Sequence, residues 1–230
     1  MKQAFNKILY ALFPKRCEFC GDVISPWEKR CDKCRLNVRI EGEACAVCGL
    51  DKDSCKCRER KGDKPDYDAV IAPYRYQGNV EIAVHRFKFG GYTELADAFS
   101  RDMAEHVKKK YGDVCFDAVA YVPISKAREK KRGYNQSLLL AQGIANALNI
   151  PLENVFYKAY EGPAQRNLSA RQRSANVFGA FDINENINPN GKIYLLVDDV
   201  KTTGATLSEC AAVLKSYGAN EVYAVALAIR

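Results

Sequence analysis

The spacing of apolar residues divides the chain near residue 60. Beyond Tyr67, short and nearly unbroken apolar runs alternate with segments whose apolar residues recur every three or four positions. The runs at 68–76, 116–123, 155–160, 192–199 and 221–229 predict strands. The nearly continuous ones are too apolar for a sheet with one wet face, so both faces are expected to be covered. Helical spacing predicts helices over 92–111, with Leu95, Phe99, Met103 and Val107 on one face, and over 134–150 and 205–218, the last closed by Gly218. Such alternation specifies an α/β domain built on a parallel sheet, here expected over 66–230. Residues 58–66 read as a hydrophilic linker with a Gly/Pro break. At the start, Ala4, Phe5, Ile8, Leu9, Leu12 and Phe13 fall on one face, which predicts an amphipathic helix within 1–16, ended by Pro14 and docked on the body in preference to anchoring at a membrane surface.

Composition narrows the class. With 47% hydrophobic and 27% charged residues over 230 positions, the chain is neither disordered nor fibrous. No apolar run approaches the ~20 residues that cross a bilayer. The N-terminal stretch lacks a small-residue cleavage site and is interrupted by Lys7, so a cytoplasmic location is expected. A disulfide framework would need an oxidising compartment. That matters because eight of the ten cysteines lie between Cys17 and Cys57.

Those eight form four close pairs: Cys17-x-x-Cys20, Cys31-x-x-Cys34, Cys45-x-x-Cys48 and Cys55-x-Cys57. Such a turn aims two thiolates at one point, and two turns complete a tetrahedral Zn²⁺ site. Two structural zinc sites are therefore expected over 17–60, paired either in sequence or crossed. A segment this short cannot build its own core, so metal binding would supply the folding free energy. Gly21 and Gly49 follow their knuckles where a permissive backbone is needed. Cys115 and Cys210 stand alone and read as small core residues.

The sharpest motif is Asp198-Asp199-Val200-Lys201-Thr202-Thr203-Gly204-Ala205-Thr206, delivered by an apolar strand and opening a helix. Ligands of open α/β sheets bind at that edge, and free N–H groups at a helix start suit a phosphate. The two carboxylates can accept hydrogen bonds from vicinal hydroxyls, directly or through Mg²⁺ waters. The expected ligand carries a phosphate and a diol about one sugar apart. Neither a Walker A loop nor GxGxxG occurs. Two basic loops should face the same edge. Residues 126–135, after Ser125, hold Lys126, Arg128, Lys130, Lys131 and Arg132 against one acid; residues 165–176 hold Arg166, Arg171 and Arg173 and read either as a mobile lid or as a nucleic-acid contact. Arginine suits a diphosphate because its planar fork binds two oxygens at once.

The DDVKTTGAT string resembles the phosphoribosyl-diphosphate (PRPP) loop of type I phosphoribosyltransferases. That resemblance implies a Rossmann-like core, a variable hood at about 66–92 and PRPP bound with Mg²⁺. Asp198 and Asp199 would hold the ribose hydroxyls, and Lys201, Thr202, Thr203, Gly204, Ala205 and Thr206 would hold the 5-phosphate side. With VP…R…RGYNQ…LA, the GAF segment and the paired cysteine groups, the whole chain looks like the ComF family, whose N-terminal part is a double zinc ribbon. The resemblance implies a role in natural transformation, handling incoming DNA. Single-stranded DNA and DNA-processing proteins are then expected as partners beside PRPP. Within HRFKFGG (85–91), Lys88 matches the hood lysine. PRPP contacts are also expected from Ser125, Lys126, Arg128 and Arg171, and the catalytic set is Asp198, Asp199, Arg128 and Arg132. Neither of the two histidines, His85 and His106, reads as a general base; His106 is expected on a solvated helix face. Phe19 and Trp27 are the aromatic residues a ribbon could offer to bases.

Charge bears on two readings: a phosphoribosyltransferase with an unknown acceptor, or a catalytically weak PRPP-fold module that binds single-stranded DNA or protein partners through its basic loops and zinc ribbons. The net charge is +7, and residues 1–64 hold 15 basic against 10 acidic side chains. Eight thiolates and two Zn²⁺ would bring the chain to about +3. What remains basic is local, in the two loops assigned to the phosphate edge.

Overall fold

The computed structural model describes residues 10, 12–35, 39–57, 64–158 and 180–230. Its centre is a pair of nine-residue parallel strands, β6 (Ile193–Lys201) and β7 (Glu221–Ile229), in register from Ile193↔Glu221 to Lys201↔Ile229. β3 (Ala118–Tyr121) adds to β6 in parallel, while β1 (Ala69–Ile71) and β2 (Tyr74–Arg75) both pair in parallel with β7. The order is β1-β7-β6-β3. A separate antiparallel pair joins β4 (Phe156–Lys158) to β5 (Phe181–Ile183).

Alternation along β6 builds both cores. Leu195 and Val197 enter one core with α3 (Leu95–Lys110) and α5 (Gln136–Leu148), including Phe99, Met103, Leu140 and Ile144. Tyr194 and Leu196 enter the other with α6 (Ala205–Ser216), through Leu207, Cys210, Ala211 and Leu214. Each helix buries one apolar face, and the sheet is covered on both sides, as its continuous apolar strands require.

Several expectations shift. The run 68–76 is two strands because Pro73, which cannot donate to a ladder, interrupts it. β6 continues through Val200 and Lys201, so the carboxylates lie within the strand. Residues 126–132 are not a loop but helix α4 (Lys126–Arg132), capped by Ser125, whose side chain accepts from the Arg128 N–H, and ended by Gly133 at φ 84°. α2 (Asn79–Phe89) and the short helix α1 (Asp32–Arg35) were not expected from the apolar spacing.

The helix expected within 1–16 falls mostly outside the described residues, as do positions 159 and 160 of the strand expected at 155–160 and the whole loop at 165–176, with Arg171. Of the N-terminal docking face, Leu12 and Phe13 are exposed. Cys210 is buried as expected, but Cys115 is exposed. His106 is not solvated: its Nε2 is buried without a hydrogen-bond partner, and burial, reinforced by Lys110, Lys109 and Arg39, lowers it to about 4. No helix among the described residues is long and apolar enough to cross a membrane.

Phe19 also departs from expectation. It does not face solvent as a stacking platform; it is fully buried, edge-on to Tyr74 at 5.3 Å and to Phe99 at 5.4 Å. Trp27, by contrast, is 89% exposed.

Candidate functional site

Asp198 and Asp199 end the apolar core of β6, and adjacency forces like charges together. The two are not equivalent. Asp199 pairs with Lys88 of α2, Nζ to Oδ1, at 2.7 Å. Asp198 takes hydrogen bonds at Oδ1 from the Ser137 hydroxyl at 3.0 Å and the Asp199 N–H at 2.8 Å. Burial first, and the Asp199 charge second, push the Asp198 carboxyl up to about 7, against the lowering effect of Lys88.

The loop that follows is shaped by Gly204, whose φ of 85° a side-chain-bearing residue rarely adopts. A Cβ there would lie 3.0 Å from Lys201 Cε and 3.1 Å from the Tyr67 hydroxyl. Lys201 is only 5% exposed, and its Nζ lies 3.4 Å from that Cβ position, so the lysine packs against the turn. Thr202 and Thr203 are exposed, Ala205 and Thr206 half-buried. Thr203 Oγ1 accepts from the Ala205 N–H at 3.3 Å, at the start of α6.

α4 places Arg128 and Arg132 four residues apart, on one face. Lys126, Arg128, Lys130 and Lys131 are exposed. Arg132 is drawn in: its guanidinium lies 4.9 Å from the centre of the Phe89 ring, and Nη1 donates to Gln136 Oε1 at 2.8 Å. Burial lowers Arg132, while the charge of Asp199 raises it. The structure thus gathers Lys88, Asp198, Asp199 and Arg132 at the C-terminal edge of the sheet, with Ser125 and Arg128 at the start of α4. His85 is exposed beside Phe89.

Sequence reasoning missed Ser137, Phe89 and Gln136. Ser137 is 2% exposed although it sits in the first turn of a helix beside Asn135 and Gln136, at 6% and 1%. Three consecutive buried polar residues at a helix start are a signal, but only once the helix start is known. Asn135 Oδ1 caps it, accepting from the N–H groups of Ser137 and Leu138.

The cysteines gather as Cys17, Cys20, Cys31 and Cys34, and as Cys45, Cys48, Cys55 and Cys57, the four sulfurs of each set within 4.8 Å of one another. Pairing is sequential, not crossed. Tetrahedral Zn–S bonds of about 2.3 Å put sulfurs about 3.8 Å apart. The Cys20–Cys31 and Cys48–Cys55 separations of 3.6 Å fit that ion. The thiols within each set are unequal. Burial pushes Cys20 and Cys57 up to about 12. At Cys17 and Cys45, burial acts in the same direction but backbone N–H groups outweigh it, leaving each lowered to about 7. All-thiolate sites with no position left open are structural.

A parallel sheet with an acidic C-terminal edge and a glycine-turned loop, joined to two four-cysteine centres, defines a phosphoribosyltransferase-fold protein carrying a double zinc ribbon. Comparison with known proteins agrees: residues 135–230 match the phosphoribosyl transferase domain family and residues 8–61 the double zinc ribbon domain family. The chain is 31% identical over 204 residues to competence protein ComFC of Bacillus subtilis, covering 85% of this chain and 82% of that protein. It is 29% identical over 225 residues to competence protein F of Haemophilus influenzae, covering 94% and 97%. It is 31% identical over 198 residues to the DNA utilization protein YhgH of Salmonella typhi, covering 84% and 86%. The chain belongs to this family, the ComF family.

Proposed function

We propose that the protein binds PRPP with Mg²⁺ at the C-terminal edge of its sheet and serves DNA uptake in the cytoplasm as a phosphoribosyltransferase-like component. Residues 17–60 form the ribbon part and 66–230 the transferase part, with a hood over about 66–92. The observation that carries this reading is the Lys88–Asp199 pair at 2.7 Å, which joins the hood helix to the acidic end of β6. Asp198 and Asp199 accept hydrogen bonds from the ribose hydroxyls. Thr202, Thr203, Thr206 and the N–H groups around Gly204 and Ala205 hold the 5-phosphate. Arg128 and Arg132, with Ser125 and Lys126, face the diphosphate and stabilise it as it leaves, and Arg171, outside the described residues, is assigned to the same ligand. Mg²⁺, when bound, supplies charge neutralisation at the diphosphate. Lys88, paired with Asp199, turns to the ligand once the ribose hydroxyls occupy that carboxylate.

Calorimetric titration of the full chain with PRPP tests this. Binding should require Mg²⁺ and weaken at least tenfold when Asp198→Asn and Asp199→Asn are combined. No heat with the intact chain overturns the reading.

A second reading, a PRPP-fold module that contacts single-stranded DNA, draws support from the 89% exposed Trp27 and the exposed cations of α4.

A further inference from the structure

Each ribbon presents its knuckle to the candidate site through a single side chain, and the two arrangements match. In the first knuckle, Cys17-Glu18-Phe19-Cys20, the Phe19 carbonyl accepts from Arg86 Nη1 at 2.8 Å. The Arg86 guanidinium also lies against Gly21, where a Cβ would come within 3.1 Å of it. Arg86 stands on α2, two residues before Lys88. The same helix is tied to the first ribbon at its other end, where Asn79 Nδ2 donates to Cys34 Sγ at 3.2 Å. Across α2, Phe87 packs edge-on to Phe99 at 5.5 Å, and Phe99 packs on Phe19. The helix that carries Lys88 onto Asp199 is therefore held at both ends by the first cysteine centre.

In the second knuckle, Cys45-Ala46-Val47-Cys48, the Val47 carbonyl accepts from the Tyr67 hydroxyl at 2.7 Å. That hydroxyl lies 3.1 Å from the position of a Cβ on Gly204. Next to it, Asp66 exchanges two hydrogen bonds with Ser208 in the first turn of α6, its N–H donating at 3.0 Å and its Oδ2 accepting at 2.7 Å. The underside of the phosphate loop thus rests on the second cysteine centre. In each case the third residue of a C-x-x-C turn, whose carbonyl direction is set by the metal-bound thiolates around it, receives the donor.

We propose that Arg86 and Tyr67 are positioning residues that hang the two halves of the ligand site, hood helix and phosphate loop, on the two zinc knuckles, so that zinc retention and PRPP binding are coupled. This rests on the PRPP reading above. Coupling of this kind is reciprocal: if zinc organises the ligand site, the ligand must hold the zinc.

The test uses the full chain loaded with two zinc ions, and follows zinc transfer to a chromophoric chelator with and without PRPP and Mg²⁺. PRPP should slow the release severalfold. Arg86→Met should abolish protection of the first ion and weaken PRPP binding about tenfold while both zinc ions are still present at the outset; Arg86→Lys should restore part of each effect. Tyr67→Phe should act likewise on the second ion. If the wild-type chain binds PRPP but releases zinc at an unchanged rate, the coupling is overturned and the PRPP reading stands. If it binds no PRPP, both fall. The wild-type measurement decides the matter even where a variant fails to fold.

Discussion

The two ribbons use the same four-thiolate chemistry but are built into the molecule differently. The first is part of the core: Cys17 and Cys34 are buried, Phe19 and Ile24 join the main apolar cluster, and Arg30 pairs with the buried Asp102 of α3 while Arg101 reaches Glu18. The second lies along the sheet edge. Its four cysteines are all half-buried, and it attaches through backbone bonds such as Val70 N–H to the Ala46 carbonyl, the Arg75–Asp51 pair at 2.6 Å and the small cluster of Ile40, Ala72, Ala226 and Ile229. A metal centre that shares its apolar neighbours with the fold transmits its loss to the whole fold. One that clips an edge does not.

The largest expected effect follows directly. Cys34→Ser should cost at least ~4 kcal/mol or abolish soluble expression, whereas Cys57→Ser should remove one zinc and leave the main unfolding transition within a few degrees. Thermal unfolding with zinc counted in parallel checks both, and equal losses would break the contrast.

Phe19 sharpens the same point without touching the metal. Phe19→Ala removes a ring from between Tyr74 and Phe99 and should cost ~3–5 kcal/mol. On the same ribbon, Trp27→Ala should change stability by no more than ~0.5 kcal/mol, since that side chain lies in water. Chemical denaturation of the two variants separates core from surface. A Phe19 change as mild as the Trp27 one would mean that the ribbon does not share the core.

This pair also shows what was legible. The cysteine spacing announced two tetrahedral centres, and the DDVKTTGAT string announced its strand, loop and helix, because both are local patterns in which the chemistry dictates the spacing. Phe19 is different. An aromatic residue inside a zinc knuckle reads equally well as a stacking surface or as a core plug, and only the packing of α3 against the ribbon decides. The helices at 79–89 and 126–132 escaped for a related reason. The first buries Val80, Ala83, Val84 and Phe87 on one face, but the exposed apolar Ile82 and Phe89 blur that stripe; the second is five-sevenths cationic and carries none. Lys88 was suggested by resemblance, but its pairing with Asp199 is a tertiary fact. Ser137, Tyr67 and Arg86 act across 61, 20 and 67 residues of sequence respectively, which no local pattern encodes.

The acidic end of β6 offers a pH test. Asp198 is raised to about 7 in the fold against an ordinary carboxyl near 4. Between those values the native state holds a proton that the unfolded chain has lost. Stability therefore falls as pH rises through that window, and the full cost is reached above about 7. Asp198→Asn, which cannot ionise and still accepts from Ser137, should be more stable than wild type by ~1–2 kcal/mol at pH 8 and no different near pH 4. Melting temperatures at the two pH values check the sign. A variant less stable at pH 8 would mean that the carboxylate is stabilised where it stands.

The smallest effect concerns charge on an open helix face. Lys130 and Lys131 are exposed on α4, so Lys130→Gln with Lys131→Gln should leave folding stability within ~0.5 kcal/mol. Their value lies in the field they add at the ligand edge. If DNA uses that edge, the double variant should weaken binding of a single-stranded oligonucleotide evenly across sequences. It should also flatten the dependence of log affinity on log salt by about 0.7 for each phosphate that is no longer neutralised. PRPP affinity should change far less, because Arg132, held by Phe89 and Gln136 beside Asp199, remains in place. A salt slope identical to wild type would remove Lys130 and Lys131 from any DNA contact.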